Sequence, residues 1–207
     1  MNAGLTNLKT LKTHLLAEKL REDTSYDDAL TALGLGVAAA FERYCNRKFA
    51  RVEDDTDIFS AQRTIWVLPR YPLESVDEIA FKFAGQTDWT DQSSTLLLNV
   101  NNASGMVHFG GLLGGPDDYV RLTYTGGYWW NTNEDTEDTI PTGATALPDD
   151  LKLAWLLQCK KTWESYDANG TRIAREAAKN AAPSMLVDLE LIPAVTAMLA
   201  QHRRLFS

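Results

Sequence analysis

The sequence predicts an α+β protein: a small helical bundle of two N-terminal and two C-terminal helices, with a mostly antiparallel β-sheet module inserted between them. Apolar residues recur at helical spacing near both ends of the 207-residue chain, whereas the middle alternates with a period of two. Charge divides at similar places, with net +2 over residues 1–52, −13 over 53–150 and +3 over 151–207. Length alone predicts one large domain or two small ones.

Three segments follow from these patterns. Residues 1–52 are expected to hold the N-terminal helices of the bundle. Residues 53–146 form the inserted acidic β module, with a mobile loop at 131–145. Residues 147–207 supply the C-terminal helices and a tail.

Two amphipathic helices are expected before residue 52. The first, over residues 6–20, has one apolar face formed by leucines: Leu8, Leu11, Leu15 and Leu16. The second begins at Ser25, with Asp28 three residues later as an acidic relative of the capping box. Gly34 and Gly36 inside this helix each cost about 1 kcal/mol relative to alanine. We interpret them as a place where another helix approaches closely.

Strands are expected from residue 58 onward. Residues 119–125 give the clearest signal, because Val120, Leu122 and Tyr124 alternate with Arg121 and Thr123. The other predicted strands are residues 58–59, 64–68, 76–83, 96–100 and 106–109. The expected product is a single sheet of five or six strands, rich in aromatic residues.

A polar loop is expected after the last strand. Residues 131–145 contain almost no apolar side chains and place four acids within five positions: Glu134, Asp135, Glu137 and Asp138. Such composition favours a mobile connection.

Helical spacing returns at Pro148. Leu151, Trp155, Cys159 and Trp163 repeat every four residues, and Asp149 and Asp150 suit the positive end of the helix dipole. A last helix begins near Pro193, which fits a first turn. One apolar stripe is expected along it: Val195, Met198, Leu199, His202 and Phe206.

The sequence excludes several function classes. No apolar stretch is long enough for a membrane span, and residues 1–20 lack the order of a secretory signal. Cys45 and Cys159 are expected to be buried thiols in a reducing compartment. An acidic middle segment disfavours wrapping of nucleic acid.

Motifs for catalysis, cofactors or metals are lacking, so none of these is expected. His14, His108 and His202 have no metal-ligand spacing around them. The glycine-rich run 110–115 lacks the Lys-Ser/Thr of a phosphate loop. Asp117 and Asp118 form an acidic pair of the kind that hydrolases use.

The order of these signals resembles the head–tail connector (head completion, or adaptor) proteins of long-tailed bacteriophages. The resemblance runs over most of the chain and rests on five places, none of them specific alone: residues 26–28 with 41–49, 68–79, 120–128, 147–154, and 192–195 with Met198-Leu199 and Arg203-Arg204. The long acidic loop and the length of the β module depart from the shorter, nearly all-helical relatives.

The resemblance implies a virion structural protein at the head–tail junction, assembled in the bacterial cytoplasm. Such proteins form a ring, usually of twelve copies, beneath the portal. The ring extends the DNA channel, closes the filled head and presents a surface to the next neck or tail-completion protein. DNA would pass through without specific binding.

The family's C-terminal segment docks on the portal. On this chain the matching positions are Ile192, Val195, Met198, Leu199, Arg203, Arg204, Leu205 and Phe206. The alternative is that this stripe packs on the bundle instead. If the segment docks on the portal, deleting residues 193–207 is expected to leave a folded protein that no longer binds the portal. The acidic loop would face the DNA channel or the neck.

Two further hypotheses stay open. The first is a carbohydrate- or ligand-binding module that stacks its ligand on Trp89, Trp129 and Trp130. The second is a hydrolase that uses Asp117 and Asp118.

Overall fold

A computed structural model describes residues 2–92, 96–133, 139–167 and 190–204. These residues contain four α-helices and β-sheets paired antiparallel, which confirms the predicted α+β class. They divide into two compact units. The helical unit holds the described residues of 1–46, 130–140 and 146–204, and the β unit those of 47–129 and 141–145.

The helical unit contains helices from both ends of the chain. The α-helices are α1 (Leu8–Leu15), α2 (Asp27–Cys45), α3 (Asp149–Asp167) and α4 (Pro193–Leu199). Three short 3-10 helices accompany them: Glu18–Leu20, Thr24–Tyr26 and Ala200–His202. Pro193 occupies the first turn of α4, as its fixed φ allows.

The N-terminal helix boundaries differ from the predicted ones. Helix α1 ends at Leu15, because Leu16 adopts an extended conformation (φ −107°, ψ 145°). The expected cap at Ser25 is wrong. The carboxylate of Asp23 accepts the Ser25 N–H at 2.8 Å and starts a 3-10 turn, and α2 follows only at Asp27. Residues 21–28 contain one apolar side chain, that of Tyr26, so no apolar period marked the residue at which α2 begins.

Helices α2 and α3 meet at a glycine. The indole N–H of fully buried Trp155 donates to the Gly34 carbonyl oxygen at 3.0 Å. A Cβ on Gly34 would lie 2.0 Å from the carbonyl oxygen of Ala3 and 2.8 Å from the Trp155 ring. Position 34 therefore requires glycine, both for the N-terminal segment at Ala3 and for α3 at Trp155, and only the α3 contact is the helix approach that the sequence predicted.

The β unit contains two main sheets rather than the expected single one. Their orders are β1-β7-β3-β4 and β2-β6-β5, and β8 pairs with β9 in a separate ribbon. The strands are β1 (Val52–Ser60), β2 (Ile65–Val67), β3 (Leu73–Lys82), β4 (Thr90–Gln92), β5 (Leu97–Asn101), β6 (Met106–Phe109), β7 (Tyr119–Gly126), β8 (Tyr128–Trp129) and β9 (Thr145–Ala146).

The core of the β unit is apolar and contributed by both main sheets. Ile79 and Leu122 from the four-stranded sheet are buried in one cluster with Trp66, Val107 and Phe109 from the three-stranded sheet. The Trp66 and Phe109 rings meet edge to face, with centroids 4.6 Å apart. In the described part of the chain, no helix is long and apolar enough to cross a membrane.

Candidate assembly surface

One buried amide fixes the start of the C-terminal segment. Gln158 on α3 is only 2% exposed. Its side-chain nitrogen donates to the Glu190 carbonyl at 3.0 Å, and its side-chain oxygen accepts the Ile192 N–H at 3.0 Å. Both hydrogen bonds lie just before α4, so Gln158 sets where that helix begins.

Two residues of the predicted interface are core residues of the helical unit. Val195 and Leu199 on α4 are both fully buried. The thiol of Cys45 donates to the Leu199 carbonyl oxygen at 3.7 Å. For Val195 and Leu199, packing on the bundle is therefore the observed arrangement.

The remaining described residues of the predicted interface reach the surface to different degrees. Ile192, Met198 and Arg204 are half-buried, whereas Arg203 is exposed. The Arg203 guanidinium lies 5.4 Å from the centroid of the Tyr44 ring. Leu205 and Phe206 lie outside the described residues.

Two contacts hold the end of the segment against α2 and α3. The Arg204 N–H donates to the Cys45 carbonyl at 2.8 Å, which satisfies an acceptor at the C-terminus of α2. Nε2 of His202 lies 2.7 Å from Oδ2 of Asp150, in the first turn of α3. Burial opposes ionisation of Asp150, but the hydrogen bond and charge of His202, together with hydrogen bonds from the Leu151 N–H and the Gln201 side chain, lower the pKa of Asp150.

The hydrogen bonds made by Gln158, His202 and the Arg204 N–H were not predicted. Helical spacing placed His202 in an apolar stripe and indicated no role for Gln158 or for the N–H of Arg204. Helical spacing shows which face of a helix a residue lies on. The carbonyl to which a backbone N–H donates depends instead on how distant segments of the chain pack together, which spacing does not show. A glutamine inside an otherwise apolar helix face was the only available signal.

The predicted acidic loop has no described geometry of its own. Glu134, Asp135, Glu137 and Asp138 lie outside the described residues. Just before them, the Asn133 carbonyl oxygen accepts the side-chain N–H of Asn7 at 3.0 Å.

The acidic pair considered for hydrolysis includes a structural residue. Asp118 accepts the Gly115 N–H and the Ala84 N–H, each at 2.7 Å. The hydrogen bond from Gly115, and then that from Ala84, lower the pKa of Asp118. A Cβ on Gly114 would lie 2.5 Å from the Asp118 carboxylate, so the glycine-rich run lets this loop close around Asp118.

The other groups that could carry chemistry are metal ligands, the two cysteines and His108. Among the residues that the structure describes, no group of three or more His, Cys, Asp or Glu is placed to hold a metal ion. Both cysteines are buried and neither forms a disulfide, and burial raises the pKa of Cys159. His108 lies within β6, opposite Ile65 and Asn99.

The three tryptophans that could stack on a ligand lie in three different surroundings. The Arg121 guanidinium lies 5.1 Å from the centroid of the Trp89 ring and covers that ring. Trp129 belongs to the short strand β8. Within the described residues, no ring contact joins Trp89 and Trp129. The indole nitrogen of Trp130 is buried without a hydrogen-bond partner there.

Comparison with known proteins yields a structural relative. No protein-family model matches the chain, and no curated protein sequence matches it. A solved structure described as the neck of an empty GTA particle, computed with C6 symmetry, contains a similar chain. The TM-score is 0.58 at 16% sequence identity, over 98% of this chain and 91% of that chain. At this identity the likeness shows that the two chains share a fold.

Proposed function

We propose that this protein is a structural component of the neck of a phage-like particle, a head–tail adaptor without enzymatic activity. One observation carries the proposal: the fold is shared with a chain from a particle neck over 98% of this chain and 91% of that one. Near-complete coverage of both chains means that the helical and β units are both part of the shared fold.

The proposed assembly is a ring, of twelve copies, beneath the portal. The related neck was computed with C6 symmetry, which supports an arrangement of repeated copies around an axis. Contacts between different patches on adjacent copies close into such rings. The ring would extend the DNA channel, close the filled head and offer a surface to the next neck or tail-completion protein.

The proposed portal-docking surface is the outer part of the C-terminal segment. It consists of Ile192, Met198, Arg203 and Arg204, followed by Leu205 and Phe206. Val195 and Leu199 support it from below, because both are fully buried. Apolar and basic side chains together suit a protein partner with an acidic rim around an apolar groove.

The proposed location is the head–tail junction of the virion, after assembly in the bacterial cytoplasm. DNA passes through the ring without specific binding. Glu134, Asp135, Glu137 and Asp138 would face the channel or the neck, where negative charge repels the DNA backbone.

A mixture of the protein with the portal of its own particle tests the proposal. Negative-stain microscopy of wild type is expected to show rings attached to one end of the portal. Wild-type protein that never attaches to portals would contradict the proposed function.

A substitution variant is better suited to test the docking surface than deletion of residues 193–207. That deletion removes Val195 and Leu199 from the core and is now expected to destabilise the helical unit by several kcal/mol. The variant Leu205→Glu/Phe206→Ser is expected to fold and to lose portal attachment. The control is Leu112→Glu, at a site that is 70% exposed in the β unit. Attachment by the docking variant at the level of this control would refute the docking assignment.

A further inference from the structure

Two helices of the helical unit expose leucine side chains. Leu35 on α2 is 47% exposed and Leu153 on α3 is 48% exposed. The opposite faces of the same helices are buried, through residues such as Leu33 on α2 and Trp155 on α3. An exposed leucine alone is ordinary, but the charged residues around these two are arranged in a definite order.

The exposed face of α2 runs from acid through apolar residues to base. Asp28, Ala32, Leu35, Ala39 and Arg43 are all exposed, and their spacings of four and three residues place them on one face. Among the described residues, no ion pair engages the side chain of Asp28 or of Arg43.

The exposed face of α3 has the same order of charge. Asp149 lies at its N-terminus, Leu153 follows one turn later, and exposed Lys160 and Lys161 lie two turns further on. Lys160 is 3.9 Å from Glu164, and both side chains are about 60% exposed, so this pair contributes little.

The two faces complement each other when the helices run antiparallel. If Leu35 contacts Leu153, Asp28 lies opposite Lys160, because seven residues separate each charge from its leucine. Arg43 then lies about one helical turn, roughly 6 Å, beyond Asp149, within reach of its long side chain. A parallel arrangement would instead place Arg43 beside Lys161.

We propose that the α2 face of one copy packs antiparallel on the α3 face of the next copy. This interface rests on the proposed function, since it is the contact that would build the ring. It joins two different patches, so each copy keeps one patch of each kind for its two neighbours, as a closed ring requires. An antiparallel α2–α2 pair would also match Asp28 with Arg43, but it would stop at two copies and leave Leu153 uncovered.

Disulfide cross-linking between two single-cysteine additions tests the register. Full-length Leu35→Cys protein, carrying a fusion that changes its size, is mixed with untagged Leu153→Cys protein and oxidised. The native Cys45 and Cys159 are buried and serve as an internal background. A covalent dimer of mixed size is expected in the mixture, and none in either variant alone. The matched control replaces Leu153→Cys with Leu112→Cys, which is also exposed.

Absence of the expected cross-link overturns the interface, whatever the portal experiment shows. A mixed dimer no more abundant than in the Leu112→Cys control excludes the α2–α3 contact. A dimer of Leu35→Cys with itself identifies the α2–α2 pair instead. If wild-type rings attach to portals but the cross-link does not form, the proposed function stands and this interface is refuted. If the cross-link forms but wild-type protein never attaches to portals, this interface stands and the proposed function is refuted.

Charge reversal supplies a second test of the same contact. Asp28→Lys on the Leu35→Cys chain is expected to reduce the mixed dimer about 2- to 5-fold, as for an exposed ion pair. Lys160→Asp/Lys161→Asp on the Leu153→Cys chain is expected to restore it. Reduction without restoration would refute the proposed pairing of these residues.

Discussion

A single arginine links the ends of several segments in the β unit. Arg47 is 4% exposed, and its guanidinium lies 3.4 Å from the centroid of the Tyr71 ring and 5.2 Å from those of Phe49 and Tyr128. It also donates to the Tyr71 carbonyl oxygen. A planar cation can stack and donate at the same time, which an ammonium group cannot do.

Arg47→Lys is therefore expected to lower the free energy of unfolding by about 1–2 kcal/mol. Urea unfolding followed by tryptophan fluorescence measures the change. The matched control is Arg63→Lys, at an exposed position between β1 and β2, which is expected to change stability by less than about 0.5 kcal/mol. Equal effects of the two substitutions would show that the aromatic stacking contributes nothing.

The carboxylate of Asp118 makes the β unit sensitive to acid. Its pKa is lowered by the hydrogen bonds from Gly115 and Ala84, so its stabilisation is present above the ordinary aspartate pKa of about 3.9 and is lost as the pH falls through the lowered value. Asp118→Asn is expected to weaken the protein at pH 7 and to reduce its loss of stability between pH 5 and pH 3. Urea midpoints across this range test this, with Asp117→Asn as control. Midpoints of the Asp118→Asn variant that fall as steeply as those of wild type would contradict it.

At the scale of elements, Gln158 connects α3 to the segment before α4. Gln158→Leu keeps the approximate volume but leaves the Glu190 carbonyl and the Ile192 N–H without their present partner. The expected loss is about 2–3 kcal/mol, since each buried unsatisfied group costs about 1–3 kcal/mol. Thermal unfolding measures it, and Leu157→Met on the same helix is the conservative control. Equal stability of Gln158→Leu and wild type would mean that water or a local rearrangement replaces both bonds.

Much of the element order could be predicted from residue periodicity. Strand β6 was predicted with its observed bounds, and β7 was predicted to within one residue, because their alternating apolar residues face one buried side. The short strands β4, β8 and β9 were missed, whereas β2, which also has three residues, was predicted because it lies in the apolar run 65–68. Division of the strands between two sheets depends on long-range pairing, which periodicity does not record.

The C-terminal stripe shows the same limit for the candidate site. Helical spacing grouped Val195, Met198 and Leu199 correctly on one face of α4, but it could not say how much of that face α2 and α3 would cover. Val195 and Leu199 are fully buried, while Met198 keeps part of its surface exposed. The buried positions and the proposed docking positions therefore differ by less than one turn, and only tertiary structure separates them.

Across the whole molecule, the acidity belongs to neither unit in particular. The β unit carries seven basic and eleven acidic side chains, a net charge of −4, and the helical unit carries thirteen basic and seventeen acidic, also −4. Of the −13 over residues 53–150, −7 belongs to the β unit, and the other −6 comes from the loop acids and from Asp149 and Asp150 in the first turn of α3, which belong to the helical unit. The four loop acids lie within five consecutive positions, a density of charge matched in the sequence by Glu53, Asp54, Asp55 and Asp57.

Neutralising the four loop acids tests whether they keep DNA from binding in the proposed channel. The variant Glu134→Gln/Asp135→Asn/Glu137→Gln/Asp138→Asn changes the net charge from −8 to −4. Assembled with the portal, it is expected to bind duplex DNA about 3- to 10-fold more tightly than wild type at 50 mM salt, with a smaller difference at 200 mM because salt screens the charges. Fluorescence anisotropy of labelled DNA measures the affinity at both salt concentrations. The control variant has the same net charge but neutralises exposed acids elsewhere: Glu22→Gln, Asp88→Asn, Asp91→Asn and Asp117→Asn. An equal effect of both variants would assign the repulsion to overall charge and remove the channel role from the loop.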